Sequence, residues 1–414
     1  MNRVVITGLG TISPVGNSVP EFWNHIVHGE IGIGPITRFD TTDYKAKVAA
    51  EVKDFDPIAF GIEKNTARRM DIYSQYAMAA AIQAMEDSAL AGHTEPERLG
   101  VYVGSGIGGM HTFVTETEKL QTKGPKRVSP LFIPMMIGNI AAGNIAIHFN
   151  AQGPCLPVVT ACATSTHAVG EAFHAIRHGY ADAIIAGGAE ATIEPLAVAG
   201  FVNCMALSLS EDPAAASLPF DQRRAGFVMG EGSGVLVLEE YEHAKKRGAK
   251  IYAEICGYGN TCDAYHITAP SPEAEPSSRA IALAAKEAGL TERDTLYINA
   301  HGTGTPLNDK AETLAIKKAL GEDMARRAQI SSTKSVTGHM LGAAGAIEAI
   351  VSALTLKNGI IPPTAGLTQP DPECDLDYVP LKARECDVTV ALSSSLGFGG
   401  HNGCIALRKV CEEA

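Results

Sequence analysis

The run Pro157-Val158-Val159-Thr160-Ala161-Cys162-Ala163-Thr164-Ser165-Thr166-His167 decides how the chain is read. Its first four residues are of strand type. The small residues after Cys162 lead into a helix with Val169, Phe173 and Ile176 at i, i+4 and i+7. The cysteine therefore stands where a buried strand hands over to a helix N-terminus. Unpaired amide N–H groups and about half a positive charge from the helix dipole gather there and favour a thiolate. A buried, inert cysteine is the alternative for this stretch taken alone. Two histidine motifs further on decide for a nucleophile.

Working outward, buried strand-like runs occur at residues 4–7, 99–103, 157–160, 183–186 and 234–238, then at 251–257, 295–299, 329–332 and 388–393. Helical stretches at 71–91, 277–288 and 342–356 lie between them. This alternation predicts an α/β architecture with buried sheets. Residues 157–179 and 329–359 share one order: strand, reactive-looking turn, small-residue helix, then a glycine where a C-cap would fall. The echo predicts a duplicated unit, with one half over 1–250 and the other over 251–414. Residues 123–134 read as an insertion whose apolar Leu131-Phe132-Ile133 is of the kind that caps a pocket or joins a dimer.

A chain of 414 residues, 45% hydrophobic and 19% charged, implies a large buried core. The net charge of −12 argues against wholesale nucleic-acid binding, so an acidic partner must dock on a local basic patch. The nine cysteines include no CxxC pair, which fits a reducing, cytoplasmic setting and neither a disulfide framework nor a standard zinc site. No apolar run reaches the ~18–20 residues of a membrane span, and no signal peptide is apparent.

His301 follows the strand-like Tyr297-Ile298-Asn299-Ala300 and opens His301-Gly302-Thr303-Gly304-Thr305-Pro306. It is thus expected at a strand's C-terminal end, where open α/β sheets place their ligands. Asp309 and Glu312 have capping-box spacing and predict a helix start near 310. His339 closes Lys334-Ser335-Val336-Thr337-Gly338-His339, ahead of a small-residue helix holding Glu348. A buried Glu348 needs a partner, and Lys334 or a histidine is the candidate. Leu396-Gly397-Phe398-Gly399-Gly400 reads as a turn able to present backbone N–H groups to an oxygen, with Phe398 as a gate. Gly104-Ser105-Gly106-Ile107-Gly108-Gly109 fits GxGxxG, but no strand with an acidic end follows, so a dinucleotide site is rejected.

Taken together, Thr160-Ala161-Cys162, the His301 run, Lys334 to His339 and Gly397-Phe398-Gly399-Gly400 resemble the β-ketoacyl-[acyl-carrier-protein] synthases, in particular the elongating type II enzymes of bacterial fatty-acid synthesis. The resemblance covers essentially the whole chain. It implies a thiolase-like fold, duplicated in five αβαβα layers, and a homodimer. It implies Cys162 as the nucleophile, with His301 and His339 promoting decarboxylation of malonyl-carrier protein. The amides of Cys162 and Phe398 would form the oxyanion hole, Lys334 would give electrostatic support, and Glu348 would stand behind it. Thr303 and Thr305 would bind a phosphopantetheine arm carried by the acyl-carrier protein, with no cofactor or metal of the enzyme's own. Ile107, Phe201, Phe398 and Gly399 would border the acyl site, with Phe132 reaching in from the other subunit. Lys64, Arg68 and Arg69, with Lys126 and Arg127, would dock the carrier. A polyketide ketosynthase or a type I elongating synthase shares these motifs and stays open. Gly304, His401 and Met205 depart from the family's usual residues and bear on substrate preference and docking.

Overall fold

Nine strands form one mixed sheet in this computed structural model, which describes residues 1–410; Cys411 lies outside the described residues. In chain order they are β1 (Val4–Ile12), β2 (Leu99–Gly104), β3 (Ala183–Glu190), β4 (Gly232–Glu240), β5 (Ala253–Cys262), β6 (Leu296–Asn299), β7 (Gln329–Ser331), β8 (Val390–Gly397) and β9 (His401–Arg408). Five principal helices pack on them: α1 (Ile72–Ser88), α2 (Thr164–Arg177), α3 (Glu275–Glu287), α4 (Pro306–Leu320) and α5 (Ala344–Asn358). Across the sheet the order is β2-β3-β4-β1-β5-β9-β8-β6-β7.

The order is one pattern used twice. In the first unit β1 runs antiparallel to β4, β4 antiparallel to β3, and β3 parallel to β2. The segment 154–160 continues this unit outside β2 through a parallel bridge between Val101 and Cys155. In the second unit β5 runs antiparallel to β9, β9 antiparallel to β8, β8 parallel to β6, and β6 parallel to β7. The units join where Val4, Val5 and Ile6 pair antiparallel with Ile255, Glu254 and Ala253.

Single contacts repeat too. A Cβ added at Gly8 would lie 2.1 Å from the Ala84 carbonyl oxygen of α1, and one at Gly10 1.9 Å from that of Ala80. In the second unit a Cβ at Gly257 would lie 2.2 Å from the Ala284 oxygen of α3, and one at Gly259 1.9 Å from that of Ala280. Only glycine lets helix backbone come this close to a strand. Gly8-Leu9-Gly10 is therefore a packing device. In both units the first strand breaks register just before these glycines, at Thr7 and at Cys256.

α1 covers the first unit from outside and α3 the second, while α2 and α5 lie between the two and pack on each other. The result is the five-layer, thiolase-like α/β architecture that the resemblance implied. Every residue of α5 from Ala344 to Leu356 is buried, and α2 is buried nearly all round, so neither carries a polar stripe.

Three local expectations change. Residues 157–160 are not a buried strand: they form an extended edge with Leu156 49% and Val159 58% exposed. They lie outside β2, and no described strand covers their outer side. The glycine-rich run after 396 is the turn of a β8–β9 hairpin, and β9 itself had not been expected. The helix expected from about 310 starts at Pro306, which suits N1 because it has no N–H to leave unpaired.

Candidate active site

The nucleophile turn is strained before it is reactive. Ala161 has a left-handed backbone, φ +50°, and opens the short turn Ala161–Ala163 that runs into α2. A non-glycine residue holds that conformation only where its surroundings enforce it. Here the Ala163 N–H donates to the Thr160 carbonyl at 3.0 Å and the Thr160 N–H to Thr164 Oγ at 2.9 Å. Half-buried Cys162 opens on a cavity of about 370 Å³ that His301, His339, Thr303, Thr305, Phe201 and Phe398 also line. The N–H groups of Phe398 and of Cys162 itself both reach its sulfur. Gly397 makes this possible, since a Cβ there would lie 3.3 Å from the Cys162 nitrogen and 2.8 Å from the Thr160 oxygen.

The expected resting thiolate is corrected by this environment. Burial pushes the Cys162 thiol up to about 12; Lys334 and the two amides pull it down, buried Glu190 pushes it further up, and burial prevails. The helix terminus supplies a favourable potential, but desolvation of the sulfur outweighs it.

His301 sits just past the C-terminal end of β6, as its motif predicted. Its N–H donates to Glu312 Oε1 at 2.6 Å, the Gly302 N–H to Oε2 at 2.7 Å, and Ser394 Oγ to Oε1 at 2.8 Å. Glu312 is thus no helix cap. From inside α4 it anchors the backbone of His301. Asp309, one turn earlier, accepts from the Phe220 N–H at 2.8 Å and the Gly304 N–H at 3.2 Å. The sequence reading missed both roles. Their signal was the i, i+3 spacing that puts the two carboxylates on the helix face turned toward the strand end. Gly304 departs from the family's hydroxyl residue at a turn of φ +78°, which glycine adopts without strain.

His339 is fixed through its backbone. Its N–H donates to the Val228 carbonyl at 2.7 Å, and its carbonyl accepts from the Gly230 N–H at 2.9 Å. The rings of His301 and His339 stand 5.2 Å apart, nearly perpendicular at 84°. Both Nδ1 atoms lack a hydrogen-bond partner among the described residues. Burial, helped by the positive charge of Lys334, holds both imidazoles well below their ordinary value, so both are neutral near pH 7.

Lys334 and Glu348 form a buried ion pair, 1% and 2% exposed, behind the cavity. Burial pushes Glu348 up to about 7 against the pull of Lys334. The second oxygen of Glu348, the Asn299 side chain and Ser393 Oγ lack partners among the described residues. No group of three or more His, Cys, Asp or Glu side chains that could hold a metal occurs among the described residues.

The hydroxyls of Thr303 and Thr305 lie 2.9 Å apart on the cavity wall. The Phe201 ring, 5.5 Å from Phe227 and 6.4 Å from Phe398, makes an apolar side. Two expected lining residues lie elsewhere: Ile107 is 42% exposed in the turn after β2, and Gly400 instead of Gly399 faces the cavity. Phe132, expected to enter from another copy, packs 6.5 Å from Phe113 in its own chain. Lys64, Arg68 and Arg69 are exposed on and after the short helix Lys64–Ala67, and Lys126 and Arg127 on the turn Pro125–Arg127. Met205 lines the cavity mouth and is 90% exposed.

Comparison with known proteins agrees with this geometry. The family model for the beta-ketoacyl synthase N-terminal domain matches residues 1–244, and that for the C-terminal domain matches residues 252–368. The chain belongs to the β-ketoacyl synthase family. A 3-oxoacyl-[acyl-carrier-protein] synthase 2 of Staphylococcus aureus (strain COL) is 52% identical, over 98% of each chain. The same fold is seen in the ishigamide ketosynthase/chain length factor, with a TM-score of 0.92 at 37% identity, covering 99% of this β-ketoacyl synthase and 100% of that chain. A type II PKS acyl-carrier protein in complex with its ketosynthase bound to the hexaketide matches with a TM-score of 0.90 at 36% identity, covering 99% and 100%.

Proposed function

We propose that this β-ketoacyl synthase is a 3-oxoacyl-[acyl-carrier-protein] synthase that lengthens carrier-bound acyl chains by two carbons. The observation that carries the reading is one cavity shared by Cys162, His301 and His339, with two backbone N–H groups turned toward the sulfur. The 52% identity to a 3-oxoacyl-[acyl-carrier-protein] synthase 2 favours fatty-acid over polyketide elongation.

The Cys162 sulfur attacks the carbonyl carbon of the acyl thioester. The developing oxyanion meets the N–H groups of Cys162 and Phe398, and the carrier leaves as a thiol with the proton Cys162 gives up. Because that proton is present at rest, it must leave as the sulfur attacks. The two neutral imidazoles are the acceptors the cavity offers. Malonyl-carrier protein enters next. Its bond to the carboxylate breaks, CO₂ departs, and the electron pair forms an enolate whose oxygen takes hydrogen bonds from His301 and His339. A neutral imidazole has one N–H to give. The enolate carbon attacks the acyl-Cys162 thioester, the bond to sulfur breaks, the 3-oxoacyl-carrier product leaves, and the Cys162 thiolate takes a proton from water to return to its resting thiol. Burial, with Lys334 behind them held by Glu348, keeps the histidines unprotonated.

In this reading Thr303 and Thr305 bind the phosphopantetheine arm, so the enzyme needs no cofactor of its own. Acyl-carrier protein is the partner, docked on Lys64, Arg68 and Arg69; a related ketosynthase has been seen in complex with its acyl-carrier protein. The chain works as a homodimer. Its support is the uncovered sheet edge at 154–160, where apolar Leu156 and Val159 are exposed. Ile107 and Gly399 border the acyl site, and Phe132 reaches into it from the other subunit. The halves 1–250 and 251–414 carry the cysteine and the histidines respectively. The eight described cysteines are free, in keeping with a cytoplasmic setting. No helix among the described residues is long and apolar enough to cross a membrane.

The test is acylation by acyl-carrier protein without malonyl substrate, followed by peptide mapping. The acyl group maps to Cys162, and adding malonyl-carrier protein yields a product two carbons longer. Cys162→Ala abolishes condensation yet keeps some malonyl decarboxylation, whereas His339→Ala lowers decarboxylation by ~10²–10³, the cost of one lost oxyanion donor. An acyl group on another residue overturns the mechanism.

A further inference from the structure

The duplication sets a second copy of the nucleophile turn beside the first. Ala161 and Leu341 share a left-handed backbone, φ +50° and +47°. Each opens a three-residue turn, Ala161–Ala163 or Leu341–Ala343, that runs into a central helix, α2 or α5. Gly342 thus holds in the second unit the place that Cys162 holds in the first. Counted outward from the junction, the third strand of each unit, β3 or β8, is eight residues long and ends against the turn of the other unit. β8 ends at Gly397, which leaves the Cys162 N–H open to the sulfur. β3 ends at Glu190, whose Oε2 accepts from the Gly342 N–H at 3.0 Å.

Glu190 fills this second cradle completely. It is fully buried. Its Oε2 also accepts from the Gly106 N–H at 2.9 Å, its Oε1 from Ser105 Oγ at 3.0 Å, and the Ile107 N–H is a further donor. A Cβ at Gly106 would come within 2.7 Å of the carboxylate and one at Gly342 within 2.9 Å, so the site is fitted to bare backbone. The donors belong to two loops that bear on the chemistry. A Cβ at Gly106 would also lie 3.4 Å from the Ala161 oxygen, next to the nucleophile, and Gly342 is three residues beyond His339.

We propose that Glu190 is a positioning residue, an internal carboxyl group that plugs the mate of the oxyanion hole and clamps the 105–107 loop to the turn after His339, so that Cys162 and His339 keep their spacing. This rests on the roles given above to Cys162 and His339. Glu190 does not line the cavity and acts through those two residues. Without its carboxylate, buried N–H groups from two loops face one another unpaired, which drives the loops apart. A shift of about 1 Å between reacting groups costs on the order of 10²-fold in rate.

Glu190→Ala, in the full chain, leaves an anion-shaped gap. Acyl transfer to Cys162 and malonyl decarboxylation both fall on the order of 10²-fold in kcat, with KM for the carrier substrates little changed. Formate restores both rates saturably, formamide does not, and the wild-type enzyme, whose cradle is filled, does not respond to formate. If Cys162→Ala still takes up an acyl group or His339→Ala still decarboxylates normally, the catalytic reading fails. If those variants are inactive but Glu190→Ala is fully active, or is folded, impaired and unmoved by formate, the clamp fails and the catalytic reading stands. Should Glu190→Ala not fold, Glu190→Gln decides: nearly isosteric, it turns an NH₂ on the cradle's donors, so kcat falls at unchanged KM, and full activity overturns the proposal.

Discussion

Replacing Lys334 with Met makes the stability of this enzyme depend on pH through Glu348. The two side chains are 1% and 2% exposed and, among the described residues, form their ion pair only with each other. Removing one partner of a buried pair costs about 3–5 kcal/mol while the other stays charged. Glu348 has an escape, because burial already pushes it up to about 7 with Lys334 beside it. Without that charge it binds a proton near neutral pH. Its folded value lies above the ordinary 4.5, so its contribution is whole below 4.5 and is lost as pH rises through 7 and beyond. The fitting control is Lys334→Met/Glu348→Gln, which cannot titrate there. Between pH 6 and pH 8.5 the single variant loses about 1.5–3 kcal/mol relative to the double, the lower figure if Glu348 stays at 7 and the higher if it rises by about 1.5 units. Urea denaturation can be followed through Trp23, the sole tryptophan, which packs against the core. A gap between the two variants that is equal at both pH values would refute the reasoning, because Glu348 would then keep one charge state throughout.

Two further outcomes follow from the site and the surface. With Cys162 pushed up to about 12, its alkylation by iodoacetamide in the unliganded enzyme rises about tenfold per pH unit from 7 to 10, with no plateau near neutrality; a plateau at pH 7 would restore the resting thiolate. Arg68→Glu/Arg69→Glu raises KM for carrier-bound substrate and leaves reaction with an acyl-pantetheine nearly unchanged, and added salt weakens the wild-type interaction with a Debye length of ~8 Å at physiological strength; equal loss on both substrates would show that the arginines hold the fold.

The sequence carried the chemistry further than the geometry. Cys162 and His301 were legible because each closes a strand-like run and opens a turn, His339 because it closes the Lys334–His339 motif ahead of a small-residue helix, and the structure brings all three to one cavity. Lys334 was legible as the partner of Glu348 because a carboxylate in an apolar helix demands one. The thiolate was misjudged because a dipole is visible in a local run of residues, whereas desolvation is created by segments far away in the chain. The same reason hid Glu312 and Glu190, whose donors lie on other elements. The edge at 157–160 looked buried because its residues are apolar, and apolar character alone does not tell a core strand from an interface. The duplication was visible only as an echo of element order. Its proof is in contacts such as Gly10 on Ala80 and Gly259 on Ala280, which two glycines in a sequence do not announce.

In the homodimer proposed above, the uncovered edge also ties turnover to concentration. Residues 154–160 lead without a break into Ala161 and Cys162, and β2 holds them through the Val101 N–H on the Pro154 carbonyl at 2.9 Å and the Leu156 N–H on the Val101 carbonyl at 3.1 Å. In the proposed homodimer a second copy of the same edge lies on the outer side, so each active site is braced by its neighbour. Dilution that strips the neighbour away slackens the nucleophile before it unfolds the chain, and rate per enzyme molecule falls with dilution while the secondary structure stays intact.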